Sequence, residues 1–299
     1  MELRQLEYFV AVAEEASFTR AAARLYVTQP GVSSQVRRLE KELGQELLDR
    51  TGPAVRLTEV GTAVLAAARA ALDGVTSVRA TVDEFTGLIR GRVSVGMVRS
   101  CSLLDLPPLL AAFHAEHPHV SVTLSEANSD VLLEELRTGR LDAAVVALAG
   151  EDPPGVVLHV LADEPLVAAV GEDDPLAGHR SVPLDALRHR SLICLPRGTG
   201  MRTCLENAFR AEGWEPRVAF EASDPHVLAR LAARSLGPAV LPGSLVAEHP
   251  QLRAVAVTSP LLRGRMALAW RREGPPGPAA RRFLARARAA LPPVSASSG

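Results

Sequence analysis

"SFTRAAARLYVTQPGVSSQVRRLEKELG", residues 17–44, decides how the N-terminal part of this chain is built. Ser17 is an N-cap type whose side-chain oxygen accepts from a free backbone N–H of the first helical turn. Phe18, Ala21, Ala22 and Leu25 follow it at helical spacing. A second helix begins near Thr28, with Pro30 tolerated in the first turn because its missing N–H has no intrahelical partner there. Val32, Val36, Leu39 and Leu43 then form one apolar stripe, and Gly44 supplies the stop. The opposite face reads Gln29, Pro30, Ser33, Ser34, Arg37 and Lys41.

Two short helices so closely joined form a helix-turn-helix, whose second helix lies in a DNA major groove. Gln bonds bidentately to adenine, Ser suits several bases, Pro offers an apolar edge to a thymine methyl, and Arg or Lys holds phosphates. The plain alternative is a helical hairpin in a bundle, its polar face merely solvated. The candidate DNA-contacting residues are Thr19, Arg20, Thr28, Gln29, Pro30, Ser33, Ser34, Arg37, Arg50 and Arg56.

Composition sets the frame. At 299 residues, 47% hydrophobic and 22% charged, the chain is long enough for two or three domains with their own cores. A formal net charge of −1 means that DNA contact rests on a local basic stripe, and residues 20–56 supply one. Lys41 is the only lysine, so Arg is the background cation here and a single Arg is weak evidence of a contact. No signal peptide or transmembrane run is visible, which predicts a cytoplasmic protein without a membrane partner. Cys101, Cys194 and Cys204 are an odd count at no metal-like spacing, in keeping with reduced thiols.

Upstream, Leu3, Leu6, Phe9, Val10 and Ala13 predict a helix over 2–15 that covers the helical pair. Downstream, "LLDRTGPAVRLTEVG", residues 47–61, puts Gly52 and Pro53 in a turn between two short extended pieces, a wing flanked by Arg50 and Arg56. Thr58 caps a longer helix on which Val64, Ala68, Ala71, Val75, Val78, Val82, Phe85 and Ile89 keep a heptad-like seam. The seam packs either against its own domain or against a second copy. Its place between two domains, with little else to cover it, favours a dimer.

From residue 91 strands and helices alternate, which predicts a largely parallel α/β architecture. Strands are expected at Val93–Met97, Val120–Leu124, Ala143–Val146, Leu166–Val170, Leu192–Leu195, Val218–Glu221, Ala239–Leu241 and Met266–Trp270, with helices near 103–116, 129–138, 200–212, 225–235 and 279–290. The tail "PPVSASSG", residues 292–299, is expected to be disordered.

In combination, "LRQLEYFVAVAEEASFTRAAARLYVTQPGVSSQVRRLEKELG", "LLDR" followed by "VRLTEVG", "LLDLPPLLAAFHAEHPHV", "LRTGRLDAAVV" and "LGPAVLP" make nearly the whole chain resemble the LysR-type transcriptional regulators. The resemblance implies an N-terminal winged helix-turn-helix (1–58), a linker and dimerisation helix (59–90) and an α/β effector domain (91–299). That domain is two-lobed, like type 2 periplasmic binding proteins, with lobe I at 91–162 and 266–299 and lobe II at 163–265. The implied partners are double-stranded promoter DNA with an inverted repeat, a second copy as homodimer or homotetramer, RNA polymerase, and a small polar or anionic effector. Ser34 stands where many members carry Arg, Pro53 replaces a common wing Arg, and Arg234 and Ser235 replace Ala-Gly.

Ligands of doubly wound domains sit beyond strand ends at helix N-termini. That places the effector near Ser100, Cys101, Ser102, Asn128 and Ser129 of one lobe and Thr199, Arg202 and Ser223 of the other. No metal and no cofactor is expected: His114, His117 and His119 fall at a helix end, and "GTG" at 198–200 lacks the rest of a dinucleotide fingerprint. No catalytic constellation can be assigned from spacing. In peroxide-sensing relatives the reactive Cys opens the helix that Gly200 opens here, which leaves Cys101 as the thiol for a redox alternative. The expected protein is therefore a regulator and not an enzyme. A constitutive regulator without ligand, or a thiol-controlled one, stands behind it, and an enzyme or solute-binding module with a DNA-binding head comes last.

Overall fold

A computed structural model describes residues 1–52, 54–85, 89–99, 106–275 and 277–291, without side chains at 73, 76, 77 and 79–85. The expected tail at 292–299, Pro53 and the loop with Ser100, Cys101 and Ser102 lie outside the described residues.

The N-terminal head runs α1 (Leu3–Glu15), α2 (Phe18–Arg24), α3 (Gln29–Leu43), β1 (Leu48–Asp49) and β2 (Arg56–Leu57). Glu2 and Gln5 form a reciprocal capping box on α1, and the Ser17 oxygen accepts from the Arg20 amide. Gly44 closes α3 at φ +68, a left-handed position glycine takes without strain. Phe9, Val12, Ala21, Val32, Val36, Leu39 and Leu47 make the core, whereas Leu43, expected on the same stripe, is largely exposed. β1 and β2 pair antiparallel, Leu48 opposite Leu57, which is the expected wing.

α4 (Glu59–Phe85) starts where the Thr58 hydroxyl accepts from the Gly61 amide. Its seam divides: Val64 and Ala68 pack into the head beside Leu65, Val75 and Val78 are 42% and 67% exposed, and Ile89, beyond the helix, packs against the lobe I core. Val82 and Phe85 belong to the side chains left undescribed.

Beyond it lie β3 (Gly91–Met97), α5 (Leu106–Glu116), β4 (Val120–Glu126), α6 (Ser129–Arg137), β5 (Ala143–Leu148), β6 (Val156–Gly171), β7 (Ser181–Pro183), β8 (Leu192–Cys194), α7 (Gly200–Ala211), β9 (Val218–Glu221), α8 (Pro225–Ala232), β10 (Ala239–Pro242), α9 (Gly243–Ala247), β11 (Leu252–Thr258), β12 (Arg263–Arg271) and α10 (Pro278–Ala290). The strand order is β4-β3-β5-β12-β6-β10-β8-β9, with β11 on β6 and β7 on β11.

The architecture is α/β, but the sheet is mixed rather than largely parallel. β3 pairs parallel with β4 and β5, and β8 with β9 and β10. β12 and β6, in contrast, run antiparallel to their neighbours. The expected strand Leu166–Val170 is only the second half of β6. Its first half pairs with β12, Val156 opposite Arg271 through to Pro165 opposite Arg263. Its second half pairs with β10 and β11 in the other lobe. β6 is therefore one of the chain crossings between lobes, and each lobe closes its own core: Phe113, Leu132, Val145 and Phe283 in lobe I, Leu166, Leu192, Phe209 and Val255 in lobe II. The helix expected near 225–235 stops at Ala232, and Ser235 takes a left-handed φ of 57. Among the described residues no helix is long and apolar enough to cross a membrane.

Candidate functional site

The head presents one polar helix face. α3 buries Val32, Val36 and Leu39 against the head core and leaves Thr28, Gln29, Pro30, Ser34 and Arg37 exposed, with Ser33 half-buried. Thr28 has the extended backbone of an N-cap, yet its side chain makes no cap bond. In the turn before α3, Tyr26 sits at φ 55 and is 96% exposed.

Flanking residues divide into free ends and anchored ones. Thr19 is exposed on α2, while Arg20 donates to the Glu15 carbonyl and lies 3.5 Å from its carboxylate. Arg56 is exposed on the wing. Arg50 is held at the wing's root, 2.5 Å from a Glu40 oxygen and 5.4 Å over the Phe18 ring. Glu40 is buried and also accepts from the Leu47 and Leu48 amides. A lone buried carboxylate is costly, and Arg50 offsets its charge, so Arg50, expected at the DNA backbone, has one guanidinium nitrogen engaged inside the head.

A second concavity, mostly apolar with a few polar groups, lies between the lobes. It has a volume of about 50 Å³ and is lined by Arg99, Asn128 and Ser129 on one side and Thr199, Met201 and Ser223 on the other, with Pro225 among further apolar neighbours. The first residues of α6, α7 and α8 meet there; the N-termini of α6 and α7 favour anions, whereas α8 opens on Pro225 and is capped by the Asp224 carboxylate. Asn128 Nδ2 donates to the Arg197 carbonyl across the cleft at 3.1 Å, Ser129 Oγ accepts from the Ala147 amide at 3.0 Å, and Thr199 Oγ1 donates to the Pro196 carbonyl at 2.7 Å. Ser223 is exposed, and the cap of α8 is its neighbour Asp224, which accepts from the His226 amide.

Arg202 does not reach this cavity. Its side chain is 5% exposed and turned into lobe II, where it donates to Glu206 at 2.8 Å, the Leu195 carbonyl at 3.2 Å and Glu221 at 3.4 Å. The expected ligand clamp is an internal pillar, and the arginine that lines the cleft is Arg99. The spacing carried a signal for this, since Arg202 and Glu206 stand four apart on one helix.

Neither described thiol is poised for redox chemistry. Burial pushes Cys194 up to about 11 against the opposing charge of Arg202, and burial also raises Cys204, whose Sγ donates weakly to the Arg263 carbonyl. His117 packs edge-on against Phe113, 5.0 Å between ring centroids.

Both parts have counterparts in known proteins. A family model described as "Bacterial regulatory helix-turn-helix protein, lysR family" matches residues 3–62, and one described as "LysR substrate binding domain" matches residues 86–292. OxyR of Escherichia coli, described as a DNA-binding transcriptional dual regulator, is 31% identical over 82% of this chain and 80% of its own. YybE of Bacillus subtilis, an uncharacterized HTH-type transcriptional regulator, is 29% identical over 90% and 92%. Among solved structures, a full-length OxyR variant from Pseudomonas aeruginosa has a TM-score of 0.71 at 29% identity, covering 96% of this chain and 95% of its own. Full-length CbnR complexed with its target DNA has a TM-score of 0.54 at 29% identity, covering 97% and 99%. With its helix-turn-helix head and its two-lobed domain both matched, the chain belongs to the LysR family of bacterial transcriptional regulators.

Proposed function

We propose that the α3 face reads promoter DNA and that a small polar or anionic molecule, held between the lobes, sets how the head engages it. The chain is then a ligand-modulated, DNA-binding transcriptional regulator, cytoplasmic and not an enzyme, acting as a homodimer or homotetramer on an inverted repeat, with RNA polymerase as a further partner. The working division is a head at 1–58, a linker at 59–90 and an effector domain at 91–299.

The observation that carries this reading is the convergence of the α6 and α7 N-termini, one from each lobe, on one cavity lined by Arg99. A ligand gripped by both lobes favours one lobe arrangement, and its differential affinity is what can shift the head; couplings of this kind are typically about 1–3 kcal/mol. A cavity of about 50 Å³ is far below an ordinary ligand pocket of roughly 300–1,000 Å³, so any metabolite larger than a few atoms enters by parting the lobes.

The test has two arms. Selection of bound duplexes from a random pool yields the operator. On that operator Gln29→Ala costs about 1–3 kcal/mol and relaxes preference at one base position. Equal losses on operator and random DNA would remove Gln29 from base reading. A thermal-shift screen of metabolites, followed by DNA binding with and without each hit, tests the cleft. Arg99→Ala with Ser223→Ala abolishes the response and spares basal DNA binding; a double variant that responds like the parent puts the pocket elsewhere.

A further inference from the structure

α6 has its two ends in two different places. Its first turn faces the interlobe cavity, where Asn128 donates to the Arg197 carbonyl of lobe II at 3.1 Å. Its C-terminal cap is Thr138, whose carbonyl accepts from Arg69 Nη1 at 3.1 Å. Arg69 belongs to α4, and its side chain is 7% exposed. Its other terminal nitrogen, Nη2, donates to the Glu14 carboxylate of α1 at 2.8 Å, and Glu14 also holds Arg24 of α2 at 2.7 Å.

One buried guanidinium therefore takes its partners from two modules, the head on one side and lobe I on the other. A buried donor without a partner is disfavoured, so losing the Thr138 contact leaves Arg69 Nη1 unmet while Nη2 stays on Glu14. Around this post the head and lobe I are separated by a cavity of about 600 Å³ with a mixed lining that includes the charged residues Glu14, Arg24, Arg92, Glu135 and Arg140. α6 is about 13 Å long and stiff along its axis, because each turn is hydrogen-bonded to the next. A retreat of its C-terminal end by about half an ångström takes the Arg69 contact out of hydrogen-bond range.

We propose that Arg69 is a positioning residue that reports the state of the cleft to the DNA-binding head: α6 moves when the cleft opens, and Arg69 passes that displacement through Glu14 to α1 and α2. This relay rests on the reading of the cleft as the effector site for its purpose, though not for its existence. The required two-state element is the Arg69–Thr138 contact, made or broken, which both the cleft and the head bias.

Hydrogen exchange of the full-length protein, without DNA or effector, tests it. Asn128→Ala loosens the cleft end of α6. In the parent it raises exchange at residues 12–16, the end of α1, by about threefold or more. In an Arg69→Met background, which keeps the aliphatic stem and removes both donors, those amides are already faster and Asn128→Ala raises them no further. Arg69→Lys, which can reach one partner at a time, falls between. Should Arg69→Met fail to fold, Glu14→Ala removes only the head-side acceptor and gives the same comparison. The relay is overturned if Asn128→Ala acts on α1 equally with and without Arg69, or leaves α1 unchanged in the parent. Failure of the parent to select any duplex counts instead against the regulator reading and leaves the exchange result intact.

Discussion

Arg202 shows how a single side chain redirects an expectation. An arginine at a helix start beside a cleft suggests a carboxylate clamp, but this guanidinium is already engaged by Glu206, Glu221 and the Leu195 carbonyl. Arg202→Ala leaves the buried Leu195 carbonyl without its donor and Glu206 with only Arg197, 3.4 Å away, and a buried group left unsatisfied costs about 1–3 kcal/mol. The expected outcome is a lower Tm for the whole effector domain, not a selective loss of effector response; a variant with the parent's Tm would return Arg202 to the cleft. Gly198 is the opposite case, a residue defined by what it lacks. It sits at φ +85, and a Cβ there would lie 2.5 Å from an Asp130 carboxylate oxygen across the cleft. Gly198→Ala is thus both strained and clashing, the left-handed backbone alone costing about 1–2 kcal/mol. Adding Asp130→Ala relieves the clash and not the strain, so the double variant should melt between the parent and Gly198→Ala. Full recovery in the double variant would show that strain is negligible, and no recovery would show that the lobes do not meet there.

At the scale of elements, the head was legible because each boundary has a chemical marker: Ser17 as cap, Pro30 in a first turn, Gly44 as stop, Thr58 before the linker helix. The wing and the α3 face followed from the same markers. The first half of β6 was not legible, because "VVLHVLADEP" mixes charge and a proline into what is a crossing strand, half-buried along most of its length. β11, "LRAVAVT", is short and alternating, and its partners are antiparallel and parallel strands far away in sequence. At the cleft the helix starts were readable from strand ends, but the direction of a side chain was not, which is why Arg202 was misplaced and Arg99 overlooked. The α4 seam was read as one stripe and is two. Its first part is consumed by the head core, while Val75 and Val78 stay exposed on the same helix. An exposed apolar pair at heptad spacing loses contact with water when a second copy covers it, by up to about 1.5–3 kcal/mol for each fully buried Val. Val75→Asp with Val78→Asp should therefore give monomers in sedimentation velocity while the head and lobes keep their melting behaviour. An unaltered oligomer would place the interface elsewhere.

For the whole molecule the question is what holds the head against lobe I, and Glu14 makes it a question about pH. Burial raises the pKa of Glu14, but hydrogen bonds from Arg69 and Arg24, with their charges, outweigh it and hold the carboxyl below its ordinary value. The facing groups come from three elements: Arg69 on α4, Arg24 on α2, and Glu15, which shares Arg24. A depressed folded pKa means that the folded state binds the proton less readily than the unfolded one. The contribution of Glu14 to stability is then complete above the ordinary carboxylate value and is lost as pH falls through the depressed one. Asp49 and Glu42 are depressed too, by Thr51 and by the N-terminal ammonium respectively, but neither carboxylate is paired with Arg69. Thermal melts of the full-length protein from pH 7 downward should accordingly show the Tm falling once the pH drops below the ordinary carboxylate range. In Glu14→Gln the acid-driven loss should be smaller, because the neutral amide cannot titrate and the weakened contact is already present at pH 7. A parent-like acid loss in Glu14→Gln would mean that other carboxylates govern the acid limit, and the Arg69 post would then be a bystander to it.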